Sequence, residues 1–285
     1  MRVLIAHGGF DLVLGSLIAI SSLAYARGVV RLWRKAGTGR GIRIVDVVRF
    51  TLGMTALVAA LLSPIDSLAP RSFAMHMIEH EMLMVIAAPL LVLSRPLEAW
   101  AFALPRNARH TLSACARVPA LVRFFAAMTA PVSATIVHAI ALWVWHAPVL
   151  FAAAIASEPL HVLQHLCFFA SALAFWWAVF GGAARSPRPV SLACLFATML
   201  QTSALGALIT LAPSPWYASG GEARVFGLTP LADQQLGGLI MWLPGGAAYI
   251  VVALAIVAIW LAPPRVRGSF SDAARKRRSA ASRFA

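Results

Sequence analysis

The sequence predicts an all-α polytopic membrane protein, a bundle of seven transmembrane helices, and its composition and hydropathy lead to this prediction. Hydrophobic residues make up 60% of the chain and charged residues only 12%. The mean hydropathy is +0.80. A soluble domain of 285 residues needs more polar surface than this composition supplies. Apolar runs of about 20 residues, the length that crosses a bilayer core of ~30 Å, also recur along the chain.

Seven such runs are present, and each is predicted to be a helix because a backbone in lipid must satisfy its own hydrogen bonds. The predicted spans cover residues 4–26, 44–63, 72–94, 124–147, 159–183, 190–212 and 232–262. We expect one membrane domain, residues 1–262, followed by a basic cytoplasmic tail, residues 263–285. The first span lacks a small-residue cleavage site, so we expect a retained helix rather than a signal peptide.

The distribution of basic residues predicts the orientation. The net charge is +14, and 20 of the 24 Lys and Arg residues fall in alternate loops and in the tail. By the positive-inside rule, the N-terminus is outside and the C-terminus is cytoplasmic. The basic residues follow this topology instead of forming one basic domain. We therefore expect contact with membrane lipid and no nucleic-acid partner.

The third span contains ionisable residues that are costly inside a membrane. His76 and His80 are four residues apart, so they lie one turn apart on the same helix face, and Glu79 flanks that face. A charge at mid-membrane costs roughly 2.5 kcal/mol or more, so such residues usually serve a function. The spacing of the two imidazoles is typical of metal ligands.

The fifth span repeats this spacing with His161 and His165. Both pairs lie near the outer ends of their spans. Polar stripes on apolar helices face the interior of a bundle. We therefore predict that the four imidazoles converge on one metal site in the outer leaflet.

Further residues are candidates for additional ligands or for partners of the ligands. Intramembrane carboxylates and imidazoles normally pair with one another, and a thioether is a soft ligand for Cu(I). These candidates are Met77, Glu79, His7, Asp11, His146, Asp233, Gln234 and Met241. Imidazole suits copper, zinc and iron alike, while the neighbouring methionines favour copper, as Cu(I), over zinc.

Five segments occur in a fixed order: SPIDSLAP, HMIEHEMLMVIAAPLLVL, WHAP, HVLQH and DQQLGGLIMW. In this combination the chain resembles the CtaG-type assembly factors of caa-type cytochrome c oxidases, over most of its length. The resemblance implies a protein of the bacterial inner membrane that handles copper for the copper B centre of oxidase subunit I. The family motif falls on His76, Met77, His80, His146, His161, His165, Asp233, Gln234 and Met241. Glu79 replaces a glutamine that is common in that family.

The sequence thus favours a non-enzymatic copper chaperone with a periplasm-facing site of histidine and methionine. The expected partners are cytochrome c oxidase subunits and periplasmic copper chaperones. A haem-binding or haem-modifying membrane protein is the alternative, because histidines from different helices also hold haem. Two imidazoles of one i,i+4 pair cannot bracket a macrocycle, which argues against haem. A zinc protease is disfavoured because HEMLM lacks the second histidine of HExxH.

Overall fold

The computed structural model describes residues 2–181, 187–217 and 225–262, without the side chains of 2–10 and 225, and in these ranges the chain is helical with no strand. The α-helices are α1 (Arg2–Ala36), α2 (Ile44–Leu61), α3 (Pro64–Leu68), α4 (Phe73–Glu81), α5 (Ala88–Leu93), α6 (Pro96–Ala103), α7 (Arg106–Cys115), α8 (Pro119–Met128), α9 (Pro131–Trp145), α10 (Pro148–Ala156), α11 (Glu158–Phe180), α12 (Arg188–Thr210), α13 (Pro230–Ile240) and α14 (Gly246–Leu261).

The predicted all-helical membrane protein is confirmed. Six helical segments of the described chain are long and apolar enough to cross a membrane. The number rises to as many as eight when each of two bent helix pairs is counted as one span. The count of seven spans and the orientation of the termini stay predictions. The predicted basic tail lies outside the described residues.

The fourth span differs from its predicted bounds of 124–147. The helix α8 ends at Met128, and a new helix, α9, starts at Pro131. Proline is favoured at the first position of a helix because its missing N–H would have no partner there. α9 then ends at Trp145, and α10 continues at an angle of 74° after Pro148.

Two π-helical segments interrupt the long helices. The first, Met82–Ala87, joins α4 to α5 and is followed by Pro89. The second, Met241–Gly245, joins α13 to α14 and contains Pro244. A proline cannot donate the hydrogen bond that a continuous α-helix requires. Short π-helical turns of this kind are frequent at functional sites.

The helices that carry the two histidine pairs are neighbours. α11 packs against the π-helical segment Met82–Ala87 and against α5, and on another side against α9 and α10. α4 packs against α13, which in turn packs against α12. These contacts lie within one compact unit, Met1–Ala253; Leu254–Ala285 forms a second unit, of which only the end of α14 is described.

Glycines allow α13 to approach its neighbours closely. A Cβ at Gly238 would lie 2.5 Å from the Thr210 hydroxyl and 2.8 Å from the carbonyl oxygen of Gly206, both on α12. A Cβ at Gly237 would collide with the ring of Phe73 on α4. Small residues at helix interfaces in membranes have this effect, and here they bring α13 against the helix that carries His76.

Candidate metal centre

The start of α4 is fixed by a residue from α13. Ser72 caps the helix and accepts a hydrogen bond from the N–H of Met75, 3.2 Å away. The Asp233 carboxylate accepts hydrogen bonds from the Ser72 hydroxyl at 2.7 Å and from the N–H groups of Phe73 and Ala74 at 2.6 and 3.3 Å. The first N–H groups of a helix have no partner within the helix, and a carboxylate there is doubly favourable. Asp233 therefore positions the helix that carries His76, and its hydrogen bonds go to this helix start rather than to an imidazole.

Four imidazoles from α4 and α11 meet in the interior. The ring centroid of His76 lies 4.2 Å from that of His80, 5.1 Å from that of His161 and 6.2 Å from that of His165. The His80 and His165 centroids are 5.4 Å apart. The structure thus brings together the four histidines in which the sequence predicts the metal site.

Three of these imidazoles could share one ion. His76, His161 and His165 each offer one ligand atom, and these atoms all lie within 4.8 Å of one another. A metal bound to imidazole nitrogens at about 2.0–2.1 Å would fit among them after small side-chain movements. His161 and His165 come from successive turns of α11, which explains why the i,i+4 spacing of the sequence identifies them.

His146 is a fifth imidazole of the cluster, which we name the imidazole cluster (His76, His80, His146, His161 and His165). Its ring centroid lies 5.8 Å from that of His80. Nδ1 of His146 is 2.7 Å from the carbonyl oxygen of Leu142, one turn earlier in α9. A carbonyl only accepts, so Nδ1 donates, and this leaves Nε2 as the nitrogen with a lone pair.

The buried nitrogens of the cluster indicate a cation. Within the described residues, neither ring nitrogen of His80 has a hydrogen-bond partner, nor does Nε2 of His146, while the Gln164 side chain lies beside His76. All three side chains are at most 3% exposed. Buried polar atoms are normally paired, and an unpaired one costs about 1–3 kcal/mol. The donor set, neutral imidazoles beside a carboxylate, fits a first-row transition-metal ion.

Glu79 supplies the carboxylate. It is fully buried, and its Oε1 lies 3.4 Å from Nε2 of His165. Neither carboxylate oxygen has a hydrogen-bond partner within the described residues. A buried carboxylate of this kind can neutralise part of the charge of a bound cation.

Apolar side chains surround the imidazoles. The Phe151 ring contacts His76 at 4.9 Å, and the Phe168 ring contacts His80 at 4.6 Å and His146 at 5.6 Å. Gln164, fully buried on α11, is the polar exception in this wall. An apolar shell of this kind keeps solvent away from a bound ion and raises the strength of its electrostatic interactions.

Gln234 holds the segment that follows α12 against the cluster. Its Oε1 accepts from the N–H groups of Trp216 and Tyr217 at 2.6 and 3.2 Å, and its amide donates to the carbonyl of Ile209. The Tyr217 hydroxyl in turn donates to the carbonyl of His146 at 2.7 Å. Burial raises the pKa of the Tyr217 hydroxyl above its usual range, so this donor stays protonated.

The remaining candidates are not among the grouped imidazoles. Met77 and Met241 belong to a buried apolar cluster with Phe73, Leu205 and others, which is the ordinary environment of a core methionine. Asp11 is exposed on α1. His7 also lies on α1, and its side chain is outside the described part of the structure.

Four residues around the imidazoles were not predicted from the sequence, namely Phe151, Gln164, Phe168 and Tyr217. Aromatic and amide side chains are common in helical membrane segments, so their residue types alone gave no signal of the site.

The family model for the cytochrome c oxidase caa3 assembly factor, Caa3_CtaG, matches residues 23–262, which include every histidine of the imidazole cluster. The chain belongs to this family. The expected family is therefore confirmed.

The chain is also similar to longer proteins whose names state no function. The chain is 25% identical over 285 residues to uncharacterized proteins of Mycobacterium bovis and Mycobacterium tuberculosis. These alignments cover 92% of this chain and 40% of each relative, so the chain spans less than half the length of the relatives. No solved structure matches the chain significantly.

Proposed function

We propose that this chain handles copper during cytochrome c oxidase assembly, and that Cu(I) binds reversibly in the imidazole cluster. The observation that carries this proposal is the buried imidazole cluster, in which both nitrogens of His80 and Nε2 of His146 have no hydrogen-bond partner within the described residues. Such atoms are stabilised when they bind a cation, and a fixed group of imidazoles on three helices, α4, α9 and α11, is suited to that purpose.

The choice of copper rests on the family. Imidazole and carboxylate donors alone suit zinc as well as copper. An oxidase assembly factor acts on an enzyme that needs copper at the copper B centre of its subunit I, which favours copper. Met77 and Met241, which the sequence offers as soft ligands, pack in an apolar cluster instead. Copper is therefore favoured by the role of the family and not by thioether ligands.

The packing of the rings disfavours haem. An imidazole centroid lies about 3.2 Å from a metal bound to its nitrogen, so two imidazoles on opposite faces of a haem have centroids about 6.4 Å apart. The His76 centroid is 4.2 Å from that of His80 and 5.1 Å from that of His161. The His76 ring is therefore in contact with the rings of His80 and His161, and no macrocycle fits between the rings of these two pairs.

The partners follow from the same role. We propose that the chain resides in the bacterial inner membrane with the imidazole cluster towards the periplasm. Periplasmic copper chaperones would supply the ion, and oxidase subunits would receive it. Binding need not be tight, since an ion that is passed on must also be released.

Metal analysis of the purified protein tests the proposal. Protein purified in detergent without chelator, then loaded with Cu(I) under anaerobic conditions, is expected to retain copper after desalting. A variant with alanine at His76, His80, His161 and His165 is expected to retain none. The matched control is His138→Ala, a buried histidine on α9 whose Nδ1 lies 3.0 Å from the Ser171 hydroxyl. Zinc retained in preference to copper, a Soret band, or copper retained by the quadruple variant would each contradict the proposal.

A further inference from the structure

The imidazole cluster has more ligand atoms than one ion can use. His76, His161 and His165 form a group whose ligand atoms lie within 4.8 Å of one another. His80 and His146 are outside this group, yet both are buried, at 1% and 3% exposure. A tetrahedral or trigonal ion bound by the first group and Glu79 would leave these two imidazoles unused.

We infer that the imidazole cluster holds two cations at once, one on His76, His161 and His165 and a second on His80 and His146. This inference rests on the proposed function, because it concerns the same Cu(I) cargo, but it adds a second site.

The orientation of His146 supports a ligand role. The hydrogen bond from its Nδ1 to the carbonyl of Leu142 fixes both the tautomer and the ring plane. The carbonyl of His146 itself accepts from Tyr217, so the backbone at the end of α9 is also held. Metal-binding histidines typically donate their second nitrogen to a carbonyl in this way. Nε2 then carries the lone pair and has no hydrogen-bond partner in the part of the chain that the structure describes.

His80 is the natural second ligand. Among the described residues, neither of its nitrogens has a hydrogen-bond partner. Its centroid lies 5.8 Å from that of His146, within the about 6.4 Å that two imidazoles on one ion can span. Cu(I) accepts few, soft or imidazole ligands, so two imidazoles can hold it where water is excluded. The Phe168 ring, which contacts both histidines, provides that exclusion.

The two sites differ in exposure. His161 is partly exposed, whereas His80 and His146 are buried. His80 contacts rings of both sites, at 4.2 Å to His76 and 5.4 Å to His165. Through His161, the first group is therefore the more accessible of the two sites.

Copper stoichiometry tests the inference. The full chain in detergent is titrated anaerobically with Cu(I) in competition with a chromophoric Cu(I) chelator, and bound copper per chain is measured after desalting. We expect two equivalents for the wild type, one for His146→Asn and two for the control His138→Asn. If His146→Asn fails to fold, as judged by gel filtration and circular dichroism, His80→Gln replaces it with the same expected loss of one equivalent.

The outcomes separate this inference from the proposed function. One equivalent in the wild type, or two in a folded His146→Asn or His80→Gln variant, overturns the second site and leaves copper handling intact. No bound copper in the wild type overturns both.

Discussion

Asp46 and Glu79 are both carboxylates with no exposed surface, yet their surroundings are opposite. Asp46 at the start of α2 accepts four hydrogen bonds, three from Arg43 and one from Arg49. Glu79 accepts none within the described residues and faces His165 at 3.4 Å. A buried carboxyl group whose hydrogen bonds are made is compatible with a stable fold, whereas one without hydrogen bonds is costly and is a candidate for contact with a ligand.

The largest expected effect on folding comes from the satisfied carboxylate. Asp46→Ala removes the partner of two arginines and is expected to lower the free energy of unfolding by about 2 kcal/mol, because Arg43 itself remains largely solvated. Copper affinity should not change. Both are measured in detergent, by titration with sodium dodecyl sulfate and by competition for Cu(I).

The control for this variant is Glu98→Ala. Glu98 forms an ion pair with Arg95 that is half exposed, and such pairs contribute less than about 1 kcal/mol. An equal loss of stability in the two variants would show that burial does not distinguish these carboxylates.

An intermediate effect is expected for Asp233, which is satisfied but also supports the site. Asp233→Asn keeps one acceptor oxygen for three donors at the start of α4 and is expected to cost about 1 kcal/mol of stability. Copper affinity should fall as well, because the helix that carries His76 is less firmly placed. Unchanged stability combined with weaker copper binding would instead point to a direct contact between Asp233 and the ion site.

The smallest effect on folding is expected for the unsatisfied carboxylate. Glu79→Gln replaces a buried carboxyl that has no hydrogen bond within the described residues by an amide of similar shape, so the free energy of unfolding should stay the same or rise. Affinity for Cu(I) should fall about tenfold, the lower end of what the loss of a ligand's carboxylate partner costs. Isothermal competition for Cu(I), with Asp46→Ala as reference, checks the contrast. A variant that loses stability but keeps its copper affinity would reverse the comparison.

The sequence predicted the parts of the site that depend on local periodicity. Repeated i,i+4 spacing of His76, His80, His161 and His165 defines one polar stripe on each of two helices, and stripes inside a membrane face other helices. The same reasoning could not show that α4 and α11 are neighbours, since adjacency depends on the packing of the whole bundle.

Contacts between residues far apart in the sequence could not be predicted for the same reason. Asp233 meets the N-terminus of a helix about 160 residues earlier, a contact that leaves no local pattern. The break before Pro131 was missed because the apolar run continues through it, so hydropathy alone gives one span where the backbone makes two helices. Proline at a helix start is a local signal that could have placed this boundary.

The π-helical segment Met82–Ala87 lets one membrane helix present histidines to α11 at one end and pack against α2 at the other. A π-helical turn holds an extra residue, which rotates the following residues by about 100° relative to a continuous α-helix. Before the segment, His76 and His80 point towards α11; after it, Leu91 meets Gly53 of α2, where a Cβ would lie 2.9 Å from its side chain. The direction in which His76 and His80 point is therefore set separately from the direction in which Leu91 packs. Substitutions that adjust one face need not disturb the other.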